Sequence, residues 1–96
     1  MKFDSKKEAE IYQKFRICEI SGEITNLQRQ VRFEIVPKQK NERAAYYVAD
    51  FVYERKDGVK VIADAKSSYT RKNPLFKLKW KLMKHLYPDY QFEIIE

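Results

Sequence analysis

The spacing of hydrophobic and polar positions changes along the chain, and each spacing predicts a different element. Apolar residues recur every three or four positions after Asp4 and Ser5, either of which can cap a helix, and this pattern ends near Gly22. Alternation of apolar and charged residues through 31–36, closed by Pro37, predicts a strand. The chain is therefore expected to begin with a helix followed by a strand.

The middle of the chain has the composition of a β-hairpin. Residues 46–54 are rich in aromatic and β-branched side chains, and residues 59–66 also have the pattern of a strand. The sequence Lys56-Asp57-Gly58 between them is a tight-turn signal. We therefore predict that these two strands pair antiparallel.

The last third of the chain predicts one more helix and one more strand. A polar, basic loop over 67–73 leads to Pro74, which fits the first turn of a helix that continues to about Leu86. Residues 91–95 have the pattern of a closing strand. The order αβββαβ predicts a single α/β domain over 1–96, with a mixed central sheet flanked by helices.

Composition and charge indicate which partners, metal sites and cellular location are expected. The chain has 96 residues and a net charge of +6, from 20 Lys and Arg against 14 Asp and Glu, which favours polyanionic partners such as nucleic acid. One cysteine (Cys18) and one histidine (His85) exclude an internal disulfide and a zinc cluster. The start of the chain lacks a signal-peptide pattern, and no apolar run reaches membrane-spanning length, so we expect a cytoplasmic protein.

Charged residues interrupt the two strands of the predicted hairpin. Asp64 and Lys66 lie two positions apart on one strand and therefore emerge on the same side. On the other strand, alternation places Asp50 on one face with Val48 and Val52. Buried charges are costly unless they are paired or bind a metal ion. The residues thus predict either a compact metal site or a cross-strand ion pair on a solvated face.

A metal site of this kind is suited to phosphodiester hydrolysis. Asp50 and Asp64 are the predicted carboxylate ligands, and the carbonyl of Ala65 can supply a third oxygen. Oxygen ligands of this type suit Mg²⁺, and we expect Mn²⁺ to substitute for it. Lys66 would position or deprotonate the attacking water and offset charge that develops on phosphorus.

Glu8 lies within the apolar arc of the first predicted helix. Ile11, Tyr12 and Phe15 follow it at helical spacing, so the carboxylate lies among residues expected to face the core. One interpretation makes Glu8 a further metal ligand. The other pairs it with Ser5 in a capping box at the helix start.

Basic residues cluster in and after the loop at 67–73. Lys79 has apolar neighbours at helical spacing, so it either reaches a phosphate or extends past the edge of the core. The other basic residues form a surface beside the strand that carries Asp64, which predicts contact with a nucleic-acid backbone. They are Arg71, Lys72, Lys77, Lys81 and Lys84.

Glu8 on an initial helix, Asp50 in Ala49-Asp50-Phe51, and Asp64-Ala65-Lys66 resemble the signature of the PD-(D/E)XK nuclease superfamily. More narrowly, the chain resembles a small phage-associated family of restriction-endonuclease-like proteins of unknown function. The matching motifs are Phe3-Asp4-Ser5-Lys6-Lys7-Glu8, Asn26-Leu27, Gln30, Ala49-Asp50-Phe51, Asp64-Ala65-Lys66 and the stretch from Leu78-Lys79 to Tyr87-Pro88.

The resemblance implies a restriction-endonuclease-like fold and magnesium-dependent cleavage of DNA in phage replication, recombination or packaging. It implies that Asp50 and Asp64 are metal ligands, Lys66 is the catalytic lysine and Glu8 is the helix-borne acid. Ala49 replaces the proline of the superfamily signature. Relatives include Holliday-junction resolvases that act as dimers, so the resemblance implies a homodimer. It also implies phage or host replication or recombination proteins as partners. The alternative is a non-catalytic DNA-binding or recombination accessory protein on the same fold.

Overall fold

The computed structural model describes residues 5–96, which form one four-stranded sheet and three helices. The strand order is β1-β2-β3-β4, with antiparallel pairing among the first three strands and parallel pairing between β3 and β4. The predicted α/β class and mixed sheet are confirmed, and the order αβββαβ holds apart from one additional short helix. The elements are α1 (Lys6–Ile20), β1 (Ile24–Val36), β2 (Ala45–Arg55), β3 (Lys60–Ala65), α2 (Ser68–Arg71), α3 (Pro74–Leu86) and β4 (Gln91–Ile95).

Helix α1 begins and ends at residues that the sequence marks. The hydroxyl oxygen of Ser5 accepts a hydrogen bond from the backbone N–H of Glu8 at 3.0 Å, which satisfies a donor in the first helical turn. Gly22 adopts a positive φ of 84° just after the helix, where a residue without Cβ avoids steric strain. The alternative cap, Asp4, and the matching motif residue Phe3 lie outside the described residues.

Strand β1 is longer than predicted because its backbone breaks the two-residue period. It begins at Ile24, whereas alternation predicted a strand only over 31–36. Asn26 and Gln30 have positive φ angles of 55° and 51°, and the register with β2 shifts after Thr25. Left-handed residues redirect the side chains around them, so the early part of β1 does not alternate in sequence.

The polar loop after β3 contains a helical turn that sequence periodicity did not predict. Ser67 caps α2 by accepting from the N–H of Thr70 at 3.1 Å. Asn73 caps α3 and Pro74 occupies its first turn, as predicted. A four-residue helix is shorter than the window over which hydrophobic periodicity can be detected. No helix within residues 5–96 has the length and apolarity needed to cross a membrane.

The sheet packs a separate apolar cluster on each face. On β3, Ile62 packs with the α3 cluster, whereas Val61 and Ala63 pack with the α1 cluster. The α3 cluster joins the second half of β1 and both central strands to the helix, through Phe33, Tyr47, Ala49, Val52, Ile62, Trp80 and Met83. The α1 cluster contains Ile11, Ile24, Phe51, Tyr53, Val61 and Ala63.

Truncating Met83 is expected to destabilise the fold strongly. The side chain is fully buried in the α3 cluster, so Met83→Ala loses apolar burial and leaves a cavity. We expect the free energy of unfolding to fall by about 3 kcal/mol, measured by urea denaturation. Leu78→Ala on the same helix is the matched control, because Leu78 is 57% exposed and should change stability by less than about 0.5 kcal/mol. Equal losses in the two variants would contradict this packing.

Candidate functional site

Near the end of β3, β2 and β3 stop pairing and two aspartates bridge the gap, while β2 continues to pair with β1. The last Cα partners at this end are Phe51 and Ala63, and the next residues along are Asp50 and Asp64. Asp64 Oδ1 accepts from the backbone N–H of Asp50 at 2.7 Å, and Asp50 Oδ2 accepts from the backbone N–H of Ala65 at 3.0 Å. Side-chain carboxylates thus take the place of sheet hydrogen bonds, which fixes both acidic groups relative to the backbone.

Strand β2 changes face at Asp50. Ala49 packs in the α3 cluster, whereas Phe51 packs in the α1 cluster, although strict alternation would place both on one face. The prediction that Asp50 shares an apolar face with Val48 and Val52 is therefore wrong. Val48 is 44% exposed, while Val52 lies in the α3 cluster. The irregular backbone directs Asp50 toward the end of β3 rather than into either core.

Asp64 is the most deeply buried ionisable group of the site. It is 0% exposed, and its Oδ2 accepts a hydrogen bond from the hydroxyl of Tyr47. Burial raises the pKa of Asp64 above its ordinary value, while the backbone N–H of Asp50 and the charge of Lys66 lower it and the charge of Glu8 raises it. The net shift is upward, because loss of hydration outweighs the favourable contacts.

Lys66 pairs with Asp50. Its Nζ lies 3.7 Å from Asp50 Oδ2 and 5.6 Å from the ring centroid of Phe76 on α3. This is the cross-strand ion pair that the sequence left open as an alternative, although the lysine side chain is only 22% exposed and the pair is therefore partly buried rather than fully solvated. The contact with Phe76 also places the first turn of α3 beside the acidic residues.

Glu8 enters the site from α1, and the predicted capping box forms only in part, because the carboxylate that would accept from the Ser5 N–H contacts Gln30 and Arg29 instead. The helix cap uses the backbone N–H of Glu8, which leaves its carboxylate free to point elsewhere. That carboxylate is almost fully buried, and Oε1 accepts from Gln30 Nε2 at 2.8 Å and lies 3.5 Å from Nη2 of Arg29. Three carboxylates therefore approach one end of the sheet from α1, β2 and β3.

Three residues of the site were not assigned a role from sequence. Gln30 donates through Nε2 to Glu8 and, at 3.4 Å, to Asp50 Oδ1. Arg29 contacts Glu8, and Tyr47 donates to the buried Asp64. No sequence signal distinguishes Tyr47 from the core aromatics of β2. Arg29 and Gln30 lie in the part of β1 where alternation fails, so their directions could not be predicted.

The predicted basic surface lies mostly in solvent next to this site. Lys79 is half-buried, which fits either of its two predicted roles. Arg71 pairs with Glu96 at 3.2 Å, and Lys84 Nζ lies 6.0 Å from the ring centroid of Trp80. The exposed members are Arg71, Lys72, Lys77, Lys81 and Lys84.

The carboxylate oxygens of Glu8, Asp50 and Asp64 are the type of ligand that a hard cation such as Mg²⁺ prefers, although each carboxylate already contacts other protein groups. Within residues 5–96, no three His, Cys, Asp or Glu side chains are grouped closely enough to hold a metal ion. Both oxygens of Asp64 accept hydrogen bonds, and the amide of Gln30 contacts Glu8 and Asp50. Mg²⁺ prefers oxygen ligands, and these three acidic side chains offer only carboxylate oxygens. A cation would therefore bind Glu8 and Asp50 beside the Gln30 amide, which contacts one oxygen of each.

Comparison with known proteins gives one family. The sequence model of the family described as "Protein of unknown function (DUF1064)" matches residues 1–96, the whole chain. The chain matches no curated protein and no solved structure.

Proposed function

We propose that the chain, which belongs to the DUF1064 family, is a magnesium-dependent endonuclease that hydrolyses phosphodiester bonds of DNA. The observation that carries the proposal is the convergence of Glu8, Asp50 and Asp64 with Lys66 where β2 and β3 separate. A wholly buried aspartate with a raised pKa is costly to keep, and such groups concentrate at functional sites.

The chain's own residues have distinct roles in this proposal. Glu8, Asp50 and Asp64 would hold Mg²⁺, and the Ala65 carbonyl is a further proposed ligand. When bound, the ion polarises the phosphate and makes hydroxide available near neutral pH. Lys66, held 3.7 Å from Asp50, orients the attacking water and stabilises negative charge on the phosphate oxygens.

The resemblance to the PD-(D/E)XK superfamily supports DNA as the substrate and a homodimer as the active form. Its signature residues are the ones that converge here, and the helix and strand order agrees with that fold. Lys66 contacts Phe76 in the first turn of α3, the helix that carries Lys77, Lys81 and Lys84, so these exposed lysines would contact the phosphate backbone leading to the site. This arrangement favours recognition of DNA shape over base sequence.

A cleavage assay across DNA forms tests the proposal. Supercoiled plasmid, linear duplex, single strand and four-way junction are incubated with Mg²⁺, with Mn²⁺ or with a chelator. We expect one or more forms to be cut only with metal, and Asp64→Ala to be inactive. Asp89→Ala changes an exposed acid in the loop before β4 and should cut like wild type. Cleavage that survives Asp64→Ala would overturn the site assignment.

A non-catalytic DNA-binding protein is the second candidate. The observation that favours it is the lack, within residues 5–96, of a ready three-donor metal group. On this alternative, DNA binding weakens steeply with salt, and no divalent metal produces cleavage. Binding measured over a salt series, alongside the cleavage assay, separates the two candidates.

A further inference from the structure

Gln30 has a left-handed backbone conformation opposite Asp50, at the point where β2 changes face. Its φ of 51° lies in the left-handed region, which costs a non-glycine residue on the order of 1 kcal/mol. Asn26, the other such residue of β1, lies at a register shift and is of a type that tolerates this region. The register around Gln30 is unbroken, because Arg29 pairs with Phe51 and Val31 with Ala49.

The side chain of Gln30 joins two acidic residues from different elements. Nε2 lies 2.8 Å from Oε1 of Glu8 on α1 and 3.4 Å from Oδ1 of Asp50 on β2. Two carboxylates brought together repel each other, and the partly positive amide group between them offsets that repulsion. Each carboxylate also has a cation nearby, Arg29 for Glu8 and Lys66 for Asp50. Without the amide, each acid is expected to turn toward its own cation.

We propose that Gln30 is a positioning residue, whose left-handed backbone and carboxamide hold Glu8 and Asp50 together for a divalent cation. The inference rests on the proposed function and extends it to a residue that carries no negative charge. The carboxamide donates to one oxygen of each acid, Oε1 of Glu8 and Oδ1 of Asp50, and so orients both carboxylates without occupying their other oxygens. Partners that orient metal ligands in this manner typically change metal affinity by about 10- to 100-fold when they are removed.

The test separates the carboxamide from the backbone effect. Gln30→Gly removes the amide and relieves the positive φ, whereas Asn26→Gly relieves the other positive φ of β1 away from these acids. Each protein is titrated with Mn²⁺, and the rise in melting temperature is followed relative to its metal-free value. We expect Gln30→Gly to need about tenfold more Mn²⁺ than wild type, and Asn26→Gly to match wild type. Gln30→Asn keeps a shorter carboxamide and should lie between them.

The outcomes distinguish this inference from the proposed function. If wild type is stabilised by Mn²⁺ and Gln30→Gly has the same titration midpoint, the positioning role is wrong while the metal site stands. An equal weakening in Asn26→Gly would also overturn it, because the effect would then come from the strand backbone. If Mn²⁺ does not stabilise wild type at all, the proposed metal site fails, and the role of Gln30 fails with it.

Discussion

Replacing Asp64 with asparagine is expected to abolish cleavage while making the metal-free protein more stable. Loss of the buried carboxylate removes a proposed metal ligand, so cleavage should fall by about a thousandfold. The loss of cleavage and the gain in stability have the same cause. The buried charge of Asp64 would bind the ion, but without an ion it destabilises the folded protein. Opposite changes in activity and stability are typical of functional sites.

The stability gain follows from the direction of the Asp64 pKa. Burial raises the pKa in the folded state, so the folded protein favours the protonated form more than the unfolded chain does. Folding stability from this group is therefore lost as pH rises from the ordinary pKa through the raised one. Asparagine carries no charge, and its Oδ1 can accept from the Asp50 N–H while Nδ2 donates to the Tyr47 oxygen. We expect a gain on the order of 1 kcal/mol near neutral pH.

Urea denaturation of wild type and Asp64→Asn from about pH 5 to about pH 8 measures this gain. The difference between the two proteins should grow as pH rises above the ordinary pKa of an aspartate, because burial raises the pKa of Asp64 and makes its charged form costly in the folded protein. Asp57→Asn in the turn between β2 and β3 is the matched control, since Asp57 is exposed and should show little change. If Asp64→Asn is less stable than wild type, and the difference in the free energy of unfolding does not change with pH, Asp64 is not an unfavourable buried charge.

The sequence predicted most elements, since their signals are local. The capping Ser5, the first turn at Pro74 and the alternation of β3 are each determined by neighbouring residues, and each agrees with the structure. The start of β1 was not predictable in this way. The left-handed residue Gln30 contacts Glu8 on α1 and Asp50 on β2, so no short sequence window contains these partners.

The candidate site was only partly predictable for the same reason. Glu8, Asp50 and Asp64 stood out because each charge interrupts an apolar pattern. Their convergence depends on where β2 and β3 separate and on the face change at Asp50, which are properties of the whole sheet. The hydroxyl of Tyr47 was missed because an aromatic residue on a central strand is usually a core residue.

Replacing Lys66 with methionine is expected to reduce cleavage by about a hundredfold or more while preserving the fold. Methionine has a similar length and can pack near the Phe76 ring, which lies 5.6 Å from the lysine Nζ. Because the three acids remain, stabilisation by Mn²⁺ should persist in this variant. Lys56→Met in the β2–β3 turn is the control, since it removes an equal charge from an exposed position. If Lys66→Met cuts DNA as fast as wild type, the catalytic role proposed for Lys66 is wrong.

Lys66→Arg then separates the two roles proposed for the lysine. Arginine keeps the positive charge near Asp50 but stays protonated and presents a planar, wider donor group. If Lys66 acts by offsetting charge on the phosphate, Lys66→Arg should recover much of the activity lost in Lys66→Met. If Lys66 must orient or deprotonate the water, Lys66→Arg should be nearly as inactive as Lys66→Met. The partly buried ion pair with Asp50 favours the second result, because a wider guanidinium would change the 3.7 Å separation between this position and Asp50 Oδ2.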